Sequence, residues 1–171
     1  VKGRVGTVNT PTVFNAHLNF VQFWDGRART LAEQAAGPIL NPLEMASNWP
    51  DVLAMLAADP VYVALFQTAY GGEVSPPTVT DALAAYEATL VTPNSRFDRY
   101  LRGQGDALTA LEQAGYRAFL DLGCASCHQG AGIGGNLFQP FGIFLSRPGA
   151  GSGAASELGR YNVTGLASDK G

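Results

Sequence analysis

Apolar residues along this chain recur at helical spacing in several stretches, each bounded by residues that start or stop helices. Thr30-Leu31-Ala32-Glu33 is a capping box: the threonine oxygen accepts from a main-chain N–H one turn on, and the glutamate reaches back. It predicts a helix from Leu31 toward Ala36, carrying Gln34, with Gly37-Pro38 as its stop. Asn48 caps a second helix through about Ala58, whose apolar face is Val52, Leu53, Met55 and Leu56. Asp59-Pro60 breaks it, and a third helix runs from Pro60 to Tyr70, closed by Gly71-Gly72. Pro76-Pro77 marks a loop, after which Thr78 caps a longer helix with a core stripe of Val79, Leu83, Tyr86 and Leu90. Phe97 to Leu101 forms a short helical turn. A second capping box, Thr109-Ala110-Leu111-Glu112, opens a helix to Leu122.

Between these elements the pattern is irregular. Residues 1–29 sustain neither a helical nor a strand period, and include Gln22 to Ala28, where Trp24 precedes an Asp25-Gly26 turn. On residues alone Trp24 reads equally well as a core indole beside a surface turn. His17 reads as a structural histidine. Glu44, in the loop from Ile39 to Ala46, is a lone carboxylate among apolar neighbours, and only its environment decides between a solvated side chain and an acid or base. Gly103-Gln104-Gly105 is the expected domain boundary, dividing the chain into 1–103 and 104–171. The fold class is mostly α.

Composition narrows the partners. The 171 residues carry a net charge of -3 with 15% charged residues, so there is no basic stripe for nucleic acid and no polybasic membrane patch. No apolar run is long enough to span a bilayer. The chain opens at Val1-Lys2-Gly3-Arg4 in mid-pattern and stops at Ser168-Asp169-Lys170-Gly171 without a finishing element, so it reads as a fragment.

The sharpest chemistry lies in Gly123-Cys124-Ala125-Ser126-Cys127-His128, which holds both cysteines of the chain. Two thiols three positions apart, followed at once by an imidazole, form the attachment pattern of c-type haem. Cys124 and Cys127 would form thioethers to the porphyrin vinyl groups, and His128 would supply the proximal nitrogen to iron. A zinc site built from Cys124, Cys127, His128 and His17 is the first alternative, but a histidine next to the second cysteine is poorly placed to close a tetrahedron. A thioredoxin-type redox pair is the second, and it lacks a βαβ context. Glycines follow the motif at 130, 132, 134 and 135 and again at 149, 151, 153 and 159, and can wrap a porphyrin edge closely. Because c-type haem is attached outside the bacterial cytoplasm, the motif argues for a periplasmic protein. The methionines, Met45 and Met55, both precede the motif and no histidine follows His128, so a sixth iron ligand either lies beyond Gly171 or is missing.

Several segments carry a resemblance: Asn9 to Asn15, Gln22 to Ala28, Glu33 to Met45, Ala88 to Asp98, and Gly123 to His128. In residues, order and separation they resemble the bacterial diheme cytochrome c peroxidase family over essentially the whole chain. The resemblance implies a cytochrome c-like fold with two haem-type domains, the first incomplete here, and reduction of hydrogen peroxide to water with electrons from a small periplasmic donor, a cytochrome c or a cupredoxin. It implies that Cys124, Cys127 and His128 serve the electron-accepting haem, while a second haem attaches upstream of Val1. It also implies Glu44 as the acid/base at peroxide, Gln34 as its hydrogen-bonding partner, Trp24 on the electron path, Asn9 as a calcium ligand, and a homodimer. A monohaem electron-transfer module in which Glu44, Gln34 and Trp24 are merely structural, and a related diheme oxidase acting on another substrate, are the competing readings.

Overall fold

Side-chain caps decide where most of these helices begin. The structure, a computed structural model, describes Gly3 and residues 9–139 and 158–170; Gly149, Gly151, Gly153 and most of the residues at the two chain ends lie outside them. Among the described residues the elements are helical: α1 (Leu31–Leu40), α2 (Trp49–Ala58), α3 (Pro60–Tyr70), α4 (Pro76–Ala88), α5 (Arg96–Leu101), α6 (Ala110–Asp121) and α7 (Tyr161–Thr164), with 3-10 turns at Ala16–Leu18, Gly105–Ala107, Cys124–Ser126 and Ala167–Asp169. Among the same residues the extended pairing is one isolated bridge, Gln22 to Ala28. The mostly α expectation holds.

Thr30 caps α1 by accepting from the Glu33 N–H at 3.1 Å, while Glu33 Oε2 accepts from the N–H of Arg29, one residue ahead of the cap expected by the sequence, at 2.7 Å. The helix does not stop at Gly37-Pro38 as the sequence predicts, but continues to Leu40 with Pro38 inside it. Proline forfeits only one helical bond there, and packing outweighs that loss: Ala35 and Ile39 are buried, and α1 rests along α4. Gly37 is small for a reason of its own, since a β-carbon there would come within 3.1 Å of the Phe23 ring. The loop 41–47 then folds back to cap the helix, with Met45 N donating to Pro38 O at 3.0 Å and Ser47 N to Ile39 O at 2.9 Å.

The start of α4 is also earlier than the pattern predicts. Ser75 is its N-cap, with Pro76 and Pro77 in the first turn and Thr78 as the reciprocal member of the capping box. Prolines sit comfortably where N–H groups have no helical partner anyway. The expected stripe on α4 is core only at Val79; Leu83 and Tyr86 are exposed. Val79 joins Leu56 of α2 and Phe66 of α3, with Trp49, Val52, Leu53, Tyr70 and Val74 packed round them. Met55, expected on that face, is exposed, because at 100° per residue it falls well outside the arc of Val52, Leu53 and Leu56.

The irregular segment ahead of α1 is pinned by side-chain bonds. Asn15, at φ 60°, donates through its amide to Thr92 Oγ1 at 2.7 Å and accepts from Thr92 N at 3.0 Å, while its own N–H bonds Leu90 O at 2.8 Å. Two stretches far apart in sequence are thereby joined beside the end of α4. Buried Gln22 bonds Ala16 O at 2.9 Å through its amide and closes the bridge to Ala28 at 2.8 Å. Among the described residues no fully buried side-chain nitrogen or oxygen lacks a partner.

Candidate functional site

The thiol motif begins where α6 ends. Gly123 takes φ 77°, the left-handed conformation that terminates a helix without the penalty a β-carbon would bring. The chain turns at once into the 3-10 turn Cys124–Ser126, with Cys127 N and His128 N both donating to Cys124 O, at 3.3 and 3.0 Å. This tight turn sets out both thiols and the imidazole together. Cys124 is exposed, Cys127 half-buried, and both are free thiols.

The loop after the motif serves the histidine. Gly134 N donates to Gln129 O at 2.9 Å and Ile133 N to Gly130 O at 3.0 Å, and this brings the Ile133 carbonyl to 3.2 Å from His128 Nδ1. A carbonyl carries no proton, so Nδ1 must donate. The neutral imidazole then keeps its lone pair on Nε2, which is the state a metal ligand needs. The glycine run was legible in the sequence, but the role of the Ile133 carbonyl was not. Phe119 of α6 stands beside the imidazole, with ring centroids 6.2 Å apart.

Next to this histidine loop lies a cavity of about 350 Å³ lined by Phe97, Leu108, Glu112, Tyr116, Phe119 and Ile133. Its one charged lining residue is neutralised from the far side: Arg96 forks onto Glu112 at 2.7 and 2.5 Å and donates from Nε to Ala107 O at 3.0 Å. Phe97 and Tyr100 of α5 meet Tyr116 of α6 edge-on, at 5.1 and 6.0 Å. The Arg96 guanidinium and the Thr109 capping bonds hold the Glu112 carboxyl down to about 2. A carboxylate depressed below its ordinary value contributes stability above that value and loses it as pH falls toward the folded pKa. Accordingly, the urea midpoint of Glu112→Gln should lie below wild type at about pH 7, with the gap closing as pH falls toward about 2. The gap should be small, since both side chains are half-exposed and solvent screens them. A gap unchanged at the acid end would show that the Arg96 pairing is not its source.

The upstream residues divide into two groups. Gln34 sits half-buried on α1, and its side-chain amide makes no hydrogen bond among the described residues. Glu44 lies half-buried in the loop that caps the same helix, accepting at Oε1 from Asn41 Nδ2 at 2.7 Å. Since Met45 is bonded to Pro38, one helical turn beyond Gln34, α1 and its capping loop carry both residues on one local scaffold. Trp24 is no core residue. It is 69% exposed, and its Nε1 donates to the Asn9 main-chain carbonyl at 2.9 Å, so Trp24 and Asn9 form the other group. His17 is exposed, and the described residues contain no cluster of three or more His, Cys, Asp or Glu side chains that could hold a metal ion, which removes the zinc reading.

The family described as di-haem cytochrome c peroxidase matches residues 1–106, more than half of the chain. The chain belongs to that family. It is 47% identical over 171 residues to the cytochrome c peroxidase Ccp of Escherichia coli (strain K12), a match covering 99% of this chain and 37% of that protein. It is 46% identical over 168 residues to the cytochrome c551 peroxidase of Pseudomonas aeruginosa, covering 96% of this chain and 48% of that one. The chain thus spans half or less of the length of these relatives. Among solved structures, a MauG-like protein associated with microbial copper homeostasis superposes with a TM-score of 0.75 at 25% identity, covering 95% of this chain and 52% of that one.

Haem c is the cofactor that this family implies, and the residues fit it. Two free thiols flank one turn, the adjacent imidazole is held in the tautomer that leaves Nε2 for iron, and an apolar cavity lies beside it. The thioredoxin alternative has no support in a site without strands among the described residues.

Proposed function

We propose that this chain works within a periplasmic two-haem peroxidase that reduces hydrogen peroxide to water, drawing electrons from a small donor protein, a cytochrome c or a cupredoxin. The observation that carries the reading is the 47% identity to a named cytochrome c peroxidase across 99% of the chain, a span that includes both the thiol motif and the Glu44 loop. The family's two-haem character supports a second haem site outside this stretch. The division into 1–103 and 104–171 belongs to the same proposal, with α5 reaching across it to line the cavity beside His128.

Haem, when bound, supplies the iron through which electrons enter and leave. Cys124 and Cys127 would anchor it through thioethers, and His128 would offer Nε2, with its ring oriented from behind by the Ile133 carbonyl. Splitting the peroxide O–O bond into two waters consumes two electrons and two protons, and a proton must reach the oxygen that leaves. Glu44 is the group assigned to move it. Gln34, whose amide has no partner among the described residues, is assigned to orient the peroxide oxygens by hydrogen bonding. Trp24 presents an exposed ring that a second haem-bearing domain can approach, and is assigned to the electron path. Asn9, whose carbonyl Trp24 already holds, offers oxygen donors for calcium beside that path. A homodimer completes the reading.

The test is a haem count by intact mass and haem staining on the full-length protein, followed by peroxide turnover with a reduced cytochrome as donor. Two covalent haems and saturable peroxide consumption are the expected result. One haem and no turnover would leave a monohaem electron-transfer module. The likeness to a MauG-like structure favours a second reading, a diheme oxidase acting on a protein or organic partner. Two haems without cytochrome-dependent peroxide turnover would select it.

A further inference from the structure

The turn that follows Trp24 is gripped from the other end of the chain. Gly26 takes φ 67°, and a β-carbon placed there would overlap the Phe138 ring and lie 2.7 Å from Arg160 Nη1. The missing side chain is therefore a slot. Arg160 fills it: Nη1 donates to Asp25 O at 2.9 Å and reaches Gly26 O at 3.5 Å, and the guanidinium carbon sits 4.0 Å from the centre of the Phe138 ring. Its Nε lies 3.7 Å from Asp169 Oδ2, which also accepts from Thr164 Oγ1 at 2.6 Å. Phe138 meets Phe20 edge-on at 4.9 Å, and Phe20 N donates to Gly135 O at 3.0 Å. Three segments thus converge on one half-buried guanidinium: the Trp24 turn, the end of the loop that follows the thiol motif, and the α7 region.

We propose that Arg160 is a positioning residue that clamps the Trp24-Asp25-Gly26 turn against the segments following the haem motif, and so sets the geometry of electron delivery through Trp24. The proposal rests on the reading of Trp24 as the electron relay. Two main-chain carbonyls and a ring face need a planar, multi-donor cation, and arginine meets all of them at once where a lysine ammonium meets only some. Asp169 holds the guanidinium from behind, so the clamp is oriented independently of the turn it grips. Trp24 itself is exposed, and among the described residues its side chain makes one hydrogen bond, to the Asn9 carbonyl. Without the grip of Arg160 on the next two residues, the ring position would follow the motion of a surface turn.

The test uses the full-length two-haem protein with Arg160→Ala, Arg160→Lys, Gly26→Ala and Trp24→Phe. Hydrogen exchange across residues 20–28 reads the clamp, and stopped-flow absorbance reads the rate of electron transfer between the haems. With haem content unchanged, Arg160→Ala should raise exchange across 20–28 and slow interhaem transfer by about tenfold or more, the scale on which ångström displacements are felt. Arg160→Lys should recover part of both. Gly26→Ala, which fills the slot from the other side, should reproduce both changes, and it carries the comparison if Arg160→Ala fails to retain haem. Unchanged exchange across 20–28 in the Arg160 and Gly26 variants overturns the clamp. Raised exchange with an unchanged rate overturns its role in electron delivery. Trp24→Phe with an unchanged rate overturns the relay reading instead, while the exchange data still decide the clamp.

Discussion

Replacing Glu44 by glutamine in the full-length protein is expected to lower peroxide turnover by about 10²- to 10⁴-fold, the range that a single acid/base group contributes. Glutamine keeps the length of the side chain and an oxygen that can accept from Asn41 Nδ2, so the loop that caps α1 should stay as it is. What it removes is the ability to take a proton from one peroxide oxygen and give it to the other. The loss should fall on kcat and kcat/KM together, because the carboxylate is needed at O–O cleavage more than for holding peroxide. Haem content and visible absorbance should match wild type. Turnover within a few-fold of wild type would return Glu44 to the role of a loop carboxylate bonded to Asn41.

Gln34 sharpens that experiment, because its assignment makes a different demand. A group that orients peroxide by hydrogen bonding contributes through position, and Gln34→Ala should raise KM as well as lower kcat. The two residues share the α1 scaffold, so their effects should not add. The helix that the sequence stops at Gly37-Pro38 runs one turn further, and that turn provides the Pro38 and Ile39 carbonyls on which the Glu44 loop hangs.

How far the chain could be read before its structure was seen depended on whether a feature was local. The Thr30 cap, the Thr109 capping box, the Gly71 stop and the thiol motif each carry their instruction within a few residues, and the helix ends formed there accordingly. Pro38 and Pro76 misled, because a proline is a stop signal only when nothing else favours helix: buried Ile39 extends α1, and Ser75 caps α4 ahead of its prolines. Met55, Leu83 and Tyr86 are apolar yet exposed, because residue type alone does not say which part of a helix its neighbours cover. The site was legible as a set of residue types and not as an arrangement. Neither the Ile133 carbonyl behind His128 nor the grip of Arg160 on Asp25 has a sequence signature, because both depend on where a glycine-rich loop returns in space. The exposure of Trp24 is of the same kind.

The second large effect concerns the haem as a packing partner. The α6 helix contributes no buried residue to the fold, and Leu111 and Leu122 at its two ends are 82% and 79% exposed. Its inward side chains, Tyr116 and Phe119, line the cavity of about 350 Å³ beside His128. By contrast, the Leu56, Phe66 and Val79 core of α2, α3 and α4 closes on itself. A helix of this length has little stability alone, so α6 depends on what fills that cavity. Cys124→Ser combined with Cys127→Ser removes both thioether donors, and the haem stain of this site should disappear from a denaturing gel. After extraction of any haem still held by His128, exchange across residues 110–128 should rise by about thirtyfold or more, equivalent to about 2 kcal/mol of local opening free energy. Protection of α2, α3 and α4 should stay within error of wild type, because their core touches neither the motif nor the cavity. Haem that stays covalently attached to residues 110–128 in the double variant would overturn the thioether assignment. Undiminished protection of α6 in the haem-free protein would show that α5, through Arg96–Glu112 and the Phe97–Tyr116 contact, suffices to hold it.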